Sequence, residues 1–145
     1  MIDFMPPAMI LLIAALLIAL LRGGLRTAVI LLAPLLTLAV IWTLPDGISL
    51  TVQFLKYPIE LIEASPVRRL FATIFALMAF AGGLYAYRQA RWYELSAAYA
   101  YAAGAIGVCF AGDLITLFLF WELMAIFSIS ALEISYCSAT FSAVF

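Results

Sequence analysis

Glu122 is the residue of this chain whose type and position most call for chemistry. It is the only ionisable residue in the run 114–132, LITLFLFWELMAIFSISAL. At a rise of about 1.5 Å per residue, the acid lies about 12 Å into a segment able to cross a hydrocarbon core about 30 Å thick. A charge at the centre of a spanning helix costs roughly 2.5–3.5 kcal/mol on insertion scales. A chain keeps such a group where it faces a partner, a cavity or an ion path. Low dielectric makes a carboxyl hold its proton more tightly, and a nearby cation reverses that shift, so an acid in this setting suits a proton relay. The plainer alternative is a protonated Glu122 that only holds helices together by hydrogen bonding.

Three neighbours are accessory candidates. Asp113 directly precedes the run and is placed to cap the helix, accepting from free backbone N–H groups at the positive end of the helix dipole. A role in transport as well requires the site to open toward that end. Glu133 follows Glu122 by eleven residues, about three turns, so a continued helix puts both acids on one face. It marks either an exit path or an ordinary surface position at a helix end. Trp121 falls inside the apolar run and either shields the carboxyl or simply faces lipid. All seven Lys and Arg residues fall in loops or at segment ends. A basic partner for Glu122 is therefore expected from another subunit or from a chain portion beyond these residues.

The elements that must hold these residues are apolar. Of 145 residues, 68% are hydrophobic and 10% charged, and the mean hydropathy is +1.22. Soluble domains carry about 25% charge, so this composition cannot cover a water-facing surface and predicts lipid as the solvent. Five apolar segments stand out at about Met5–Leu21, Thr27–Leu44, Leu70–Tyr87, Ser96–Gly112 and Leu114–Leu132. Each suits a spanning helix, and none shows the polar face of a soluble amphipathic helix. Turn signals separate them: Arg22-Gly23-Gly24, Pro45-Asp46-Gly47, the polar and aromatic junction 88–94, and Gly112-Asp113. The alternative at the last break, one helix from Ser96 to Leu132, would overshoot any bilayer.

Between the second and third segments lies an excursion, 48–69. Ser49–Phe54 alternates polar and apolar residues with the period of a strand. Pro58 and Pro66 then bracket a piece carrying Glu60 and Glu63, so the excursion reads as a strand or hairpin and a short interfacial helix. The expected fold is an all-α polytopic membrane protein, a single transmembrane domain over 1–145 with a short extramembrane strand and interfacial-helix excursion. Small-residue stripes at Ala103, Gly107 and Ala111, and at Ala79 and Gly83, predict close helix packing. Trp42, Tyr57, Trp92 and Tyr93 fit an aromatic belt at the interfaces.

Orientation rests on loop charges. Arg22, Arg26, Arg88 and Arg91 share one side, expected to be cytoplasmic. Lys56, Arg68 and Arg69 share the other, with the N-terminus and the excursion outside. The first basic residue follows the first apolar run, so that run reads as an uncleaved span rather than a signal peptide.

Several function classes are excluded or unsupported. A net charge of −1 with no basic patch gives no footing for nucleic acid. The chain has no His, which removes His-based haem, zinc and triad chemistry. No nucleophile–base pair, phosphate loop or metal cluster is visible, so no cofactor, metal or enzymatic activity is expected. Cys109 and Cys137 read as small buried hydrophobes near opposite membrane faces, too far apart for a disulfide in this topology.

The run 111–124, AGDLITLFLFWELM, resembles the fifth-helix signature of the antiporter-like subunits shared by respiratory complex I and the multi-subunit Mrp-type Na+/H+ antiporters. In wording it is nearest to the D component of the Mrp type. The stretch 99–110, YAYAAGAIGVCF, is similar to the fourth helix of that group. The likeness is fair from residue 1 to Ser130 and strong over Gly104–Ser128. It implies a multi-pass inner-membrane protein with its N-terminus outside, working inside a larger complex, with an external strand after the second helix that matches Ser49–Phe54. It also implies that Glu122 is the key acid of a proton path and pairs with a Lys on a seventh helix. Members of the family have about fourteen helices, and the tail 129–145, ISALEISYCSATFSAVF, is atypical beside their continuation.

The expected function is accordingly a membrane subunit, or N-terminal fragment, of a monovalent cation/proton antiporter complex. Its partners would be the other subunits, the lipid bilayer, H+ and Na+. The alternatives are a proton-pumping antiporter-like subunit of a complex I relative, and a truncated or structural membrane protein in which Glu122 is interhelical glue.

Overall fold

A computed structural model describes the backbone of residues 6–43, 49–54, 57–63 and 65–144, and the side chains of residues 6–43 and 65–130. The described chain folds into five helices and one hairpin: α1 (Pro7–Leu20), α2 (Gly24–Thr43), β1 (Ser49–Phe54), β2 (Tyr57–Glu63), α3 (Pro66–Ala86), α4 (Trp92–Phe110) and α5 (Leu114–Val144).

Local chemistry sets the helix ends. Pro7 opens α1 at a position where its missing N–H costs nothing. Gly23, at a φ of 69°, makes the left-handed turn between α1 and α2. Ser65 caps α3 by accepting from the Arg68 N–H at 3.4 Å. Glu94 accepts from the Arg91 N–H at 3.1 Å and closes the first turn of α4. Arg91 also donates to the Tyr93 hydroxyl at 2.8 Å. That contact raises the guanidinium above its ordinary pKa.

The helices α1 to α4 close a ring in which each packs on the next and α4 returns to α1. Helix α5 stands outside the ring and packs on α4. The ring core is formed by one face of each helix. In α1 these are Ala8, Leu11, Ala14, Ala15 and Ile18; in α2 they are Ile30, Ala33, Thr37 and Ile41. Both sets follow the i, i+3, i+4, i+7 spacing of a single helix face. Helix α4 is buried along most of its length because it touches α1, α3 and α5, and its Ala and Gly residues permit close approach on each side. Among the described residues, hydrogen bonds between helices join the ring: Ser96 Oγ to the Ala15 carbonyl at 2.8 Å, and Tyr99 Oη to the Ile30 carbonyl at 2.5 Å and, at 3.5 Å, to the Ala79 carbonyl. The outward faces are apolar, with Leu16, Leu20, Leu25, Leu36, Met78 and Leu114 each more than half exposed.

Two of these helices, α2 and α3, are long and apolar enough to cross a membrane. Helix α1, at 14 residues, and the stretch Leu114–Ser130 of α5 are apolar but shorter. Helix α1 starts after Pro6 and stops before the Arg22-Gly23-Gly24 turn, which trims the expected 17-residue span.

Three expectations change. The excursion's second arm, Tyr57–Glu63, is a strand and not an interfacial helix; it pairs antiparallel with β1, from Phe54↔Tyr57 out to Ser49↔Glu63. The register shifts between Leu50 and Thr51, while Pro58 pairs with Gln53 in the regular part of the ladder, where each strand of a two-stranded hairpin keeps an edge that tolerates proline. The last helix does not end near Leu132 but continues to Val144, so the atypical tail prolongs α5. The junction expected over 88–94 is shorter, because α4 begins at Trp92. The break at Gly112-Asp113 is present as expected, with α4 ending at Phe110 and α5 starting at Leu114.

Candidate functional site

Apart from Glu122, the charged residues among the described side chains lie at the two ends of the ring. Arg22, Arg26, Arg88 and Arg91 lie at the end where α1 and α3 finish and α2 and α4 begin. Arg26 turns its guanidinium back onto the Leu21 carbonyl, at 2.6 and 2.9 Å. The opposite end gathers the starts of α3 and α5, the finish of α4 and the hairpin. Here Arg68 Nη1 donates to the Ala111 carbonyl at 2.6 Å, fastening α3 to the turn before α5. Lys56 lies outside the described side chains.

Asp113 takes the position expected of it. Its Oδ1 accepts from the Thr116 N–H at 2.7 Å, and its carbonyl accepts the Leu117 N–H at 3.0 Å, which starts α5. This cap is the reason the chain can reverse at Gly112-Asp113 and send α5 back along α4.

The setting of α5 is decided by two glycines of α4. A Cβ on Gly104 would collide with Met124, and one on Gly107 would collide with the Phe120 ring. Thr116, Phe120, Met124 and Phe127 therefore form the face of α5 turned to α4; Thr116 is buried and the other three are half-buried. Glu122 follows Phe120 by two residues, roughly 200° around the helix. It is exposed, and it shares the outer face with Ile115, Phe118, Leu119, Ile126 and Ile129. The result is an apolar stripe about four turns long with one carboxyl near its centre. Among the described residues, none forms a hydrogen bond or ion pair with that carboxyl.

Trp121 also faces outward, at 61% exposure, and its ring lies on the outside of the bundle. Helix α5 does continue through Glu133, as the shared-face argument required, but the Glu133 side chain lies outside those described. So does that of Cys137. Cys109 is a free, half-buried thiol near the end of α4.

A concavity lies between α3 and α4. It has a volume of about 620 Å³ and is walled by residues such as Phe75, Met78, Gly82, Ala98 and Ala102, with Glu94 its one charged lining residue. That carboxylate is already engaged with the Arg91 N–H. Among the described residues no cluster of His, Cys, Asp or Glu could hold a metal ion.

Two residues of consequence, Arg68 and Tyr99, do not stand out in the sequence as these contacts make them. Arg68 reads there only as a loop charge. Tyr99 carries a signal of its own, a hydroxyl inside an apolar segment that a neighbouring helix must satisfy. Comparison of the chain with family models, curated proteins and solved structures finds no match.

Proposed function

We propose that this chain is a multi-pass membrane subunit of a monovalent cation/proton antiporter assembly, in which Glu122 takes up and releases the proton. One observation carries the reading: among the described side chains, Glu122 is the lone carboxyl on an outward, otherwise apolar face of α5, and it has no partner there. An ionisable group in such a place makes sense when a neighbouring chain or helix supplies a counter-charge or an aqueous path. The resemblance of 111–124 to the antiporter-like subunits names a lysine as that counter-charge. The outward Leu and Met side chains of α1, α2 and α3 suit lipid or other subunits better than water.

The same geometry weighs against the structural alternative, because Glu122 bonds to no described helix and so glues none of them. A complex I-like assembly would use the same acid in the same way. In the orientation this reading adopts, the basic end carrying Arg22 and Arg88 faces the cytoplasm of the cell membrane and the hairpin faces outside.

The test is transport. The chain is co-expressed with its neighbouring genes in cells lacking Na+/H+ antiporters, and cation-driven pH change is measured in everted vesicles for wild type, Glu122→Gln and Glu122→Ala. Both variants are expected to lose exchange while still entering the assembly. Exchange that survives both substitutions removes Glu122 from the mechanism. Proton movement that follows quinone reduction and not an imposed cation gradient would move the assembly to the complex I side.

A further inference from the structure

We propose that Tyr99 and Pro34 form a polar clasp, in which the Tyr99 hydroxyl gives the Ile30 carbonyl the hydrogen bond that Pro34 cannot give. In an α-helix the carbonyl of residue i accepts from the N–H of residue i+4. For Ile30 that residue is Pro34, which has no N–H. Helix α2 nevertheless runs through Pro34 without a break, and both residues are fully buried. A carbonyl without a donor is costly in an apolar interior, and helices that keep a buried proline rely on neighbours to supply one.

Helix α4 supplies it. Tyr99 is 2% exposed, and its Oη lies 2.5 Å from the Ile30 oxygen. The Ala79 carbonyl of α3 is 3.5 Å from the same hydroxyl. Room for the hydroxyl comes from Gly83, one turn beyond Ala79, where any Cβ would overlap the Tyr99 oxygen. Three helices thus contribute complementary parts: a carbonyl deprived of its amide, a hydroxyl, and a glycine that makes space. Helices α2 and α4 are diagonal in the ring and do not otherwise adjoin, so the clasp is their direct link. It fixes the rotation of α4, the helix on which Gly104 and Gly107 receive α5. This inference stands apart from any role of Glu122.

A double-mutant cycle tests it in the full chain, with reversible SDS unfolding in lipid micelles as the readout. Tyr99→Phe is expected to lower the folded-to-unfolded ratio about three- to fifteenfold, the range of side-chain hydrogen bonds between membrane helices. In a Pro34→Ala background, where residue 34 regains its N–H, the same change is expected to cost less than about twofold. Equal losses in the two backgrounds would overturn the clasp and leave Tyr99 as ordinary packing. Should Tyr99→Phe not fold, fluorotyrosine at position 99 keeps the question answerable. Its ¹⁹F resonance should move on Pro34→Ala and stay put on Leu35→Ala, a change at an exposed neighbour. A resonance indifferent to Pro34→Ala refutes the proposal.

Discussion

Leu11 of α1 and Leu119 of α5 are the same residue type in comparably apolar helices, yet Leu11 is fully enclosed and Leu119 is 62% exposed. The difference is between a helix in a closed ring and one attached along a single face. In α1 to α4 each helix has two neighbours within the ring, and the buried side chains meet in a common core. Over its described side chains, helix α5 rests on α4 through Thr116, Phe120, Met124 and Phe127 and leaves Ile115, Phe118, Leu119, Glu122, Ile126 and Ile129 exposed. The ring is built for stability by packing. The attached helix keeps a face free, and Glu122, the one carboxyl of that face among the described side chains, is the candidate proton carrier. A group that must exchange protons with a partner belongs where a partner can reach it.

The contrast can be broken in a definite order. The largest effect is expected from Glu122→Gln, which should lower cation-driven proton movement about a hundredfold or more, the scale of losing a proton-transfer group, while helical content is unchanged by circular dichroism. Next is Leu11→Ala, which opens a cavity in the ring and should destabilise the chain by about 2–5 kcal/mol in SDS unfolding. Gly107→Val drives a side chain into the Phe120 ring. It should cost about 1–3 kcal/mol, and engineered cysteine pairs across α4 and α5 should cross-link more slowly. Asp113→Ala removes the cap of α5 and should cost about 1 kcal/mol. Smallest is Leu119→Ala, within about 0.5 kcal/mol for the isolated chain. If the outer face of α5 carries a partner, that last change should still weaken recovery of the assembled complex on affinity purification. A Leu119→Ala variant as unstable as Leu11→Ala would erase the distinction between the two regions.

Much of the fold is legible in the residues. Turn chemistry at Arg22-Gly23-Gly24 and Gly112-Asp113 places two of the breaks closely, and the period of two at Ser49–Phe54 announces a strand. These signals are local, since each depends on the φ angles and hydrogen bonds of a few neighbouring residues. The full extent of α5 is not legible, because Ser, Thr and Tyr in the tail dilute hydropathy without breaking a helix. The strand Tyr57–Glu63 is obscured because Pro58 suggests interruption, whereas a two-stranded hairpin leaves an edge where proline is tolerated.

The site divides along the same line. Position and composition alone pick out Glu122 and Asp113, since an acid inside an apolar run and an acid just before one stand out in any register. Composition cannot say which way Glu122 faces, because a helix apolar on every side has no preferred face until a neighbour selects one. Nor can it pair Tyr99 with Ile30, since the need arises at Pro34 and the answer lies 65 positions later in the chain. The sequence by itself determined where most helices begin and end and which groups are costly in an apolar setting, because those depend on bonded neighbours and on transfer free energy. Only the tertiary structure decided that α4 is the enclosed helix, that two glycines set the rotation of α5, and that the carboxyl points outward. Those facts rest on steric fit between surfaces far apart in the chain.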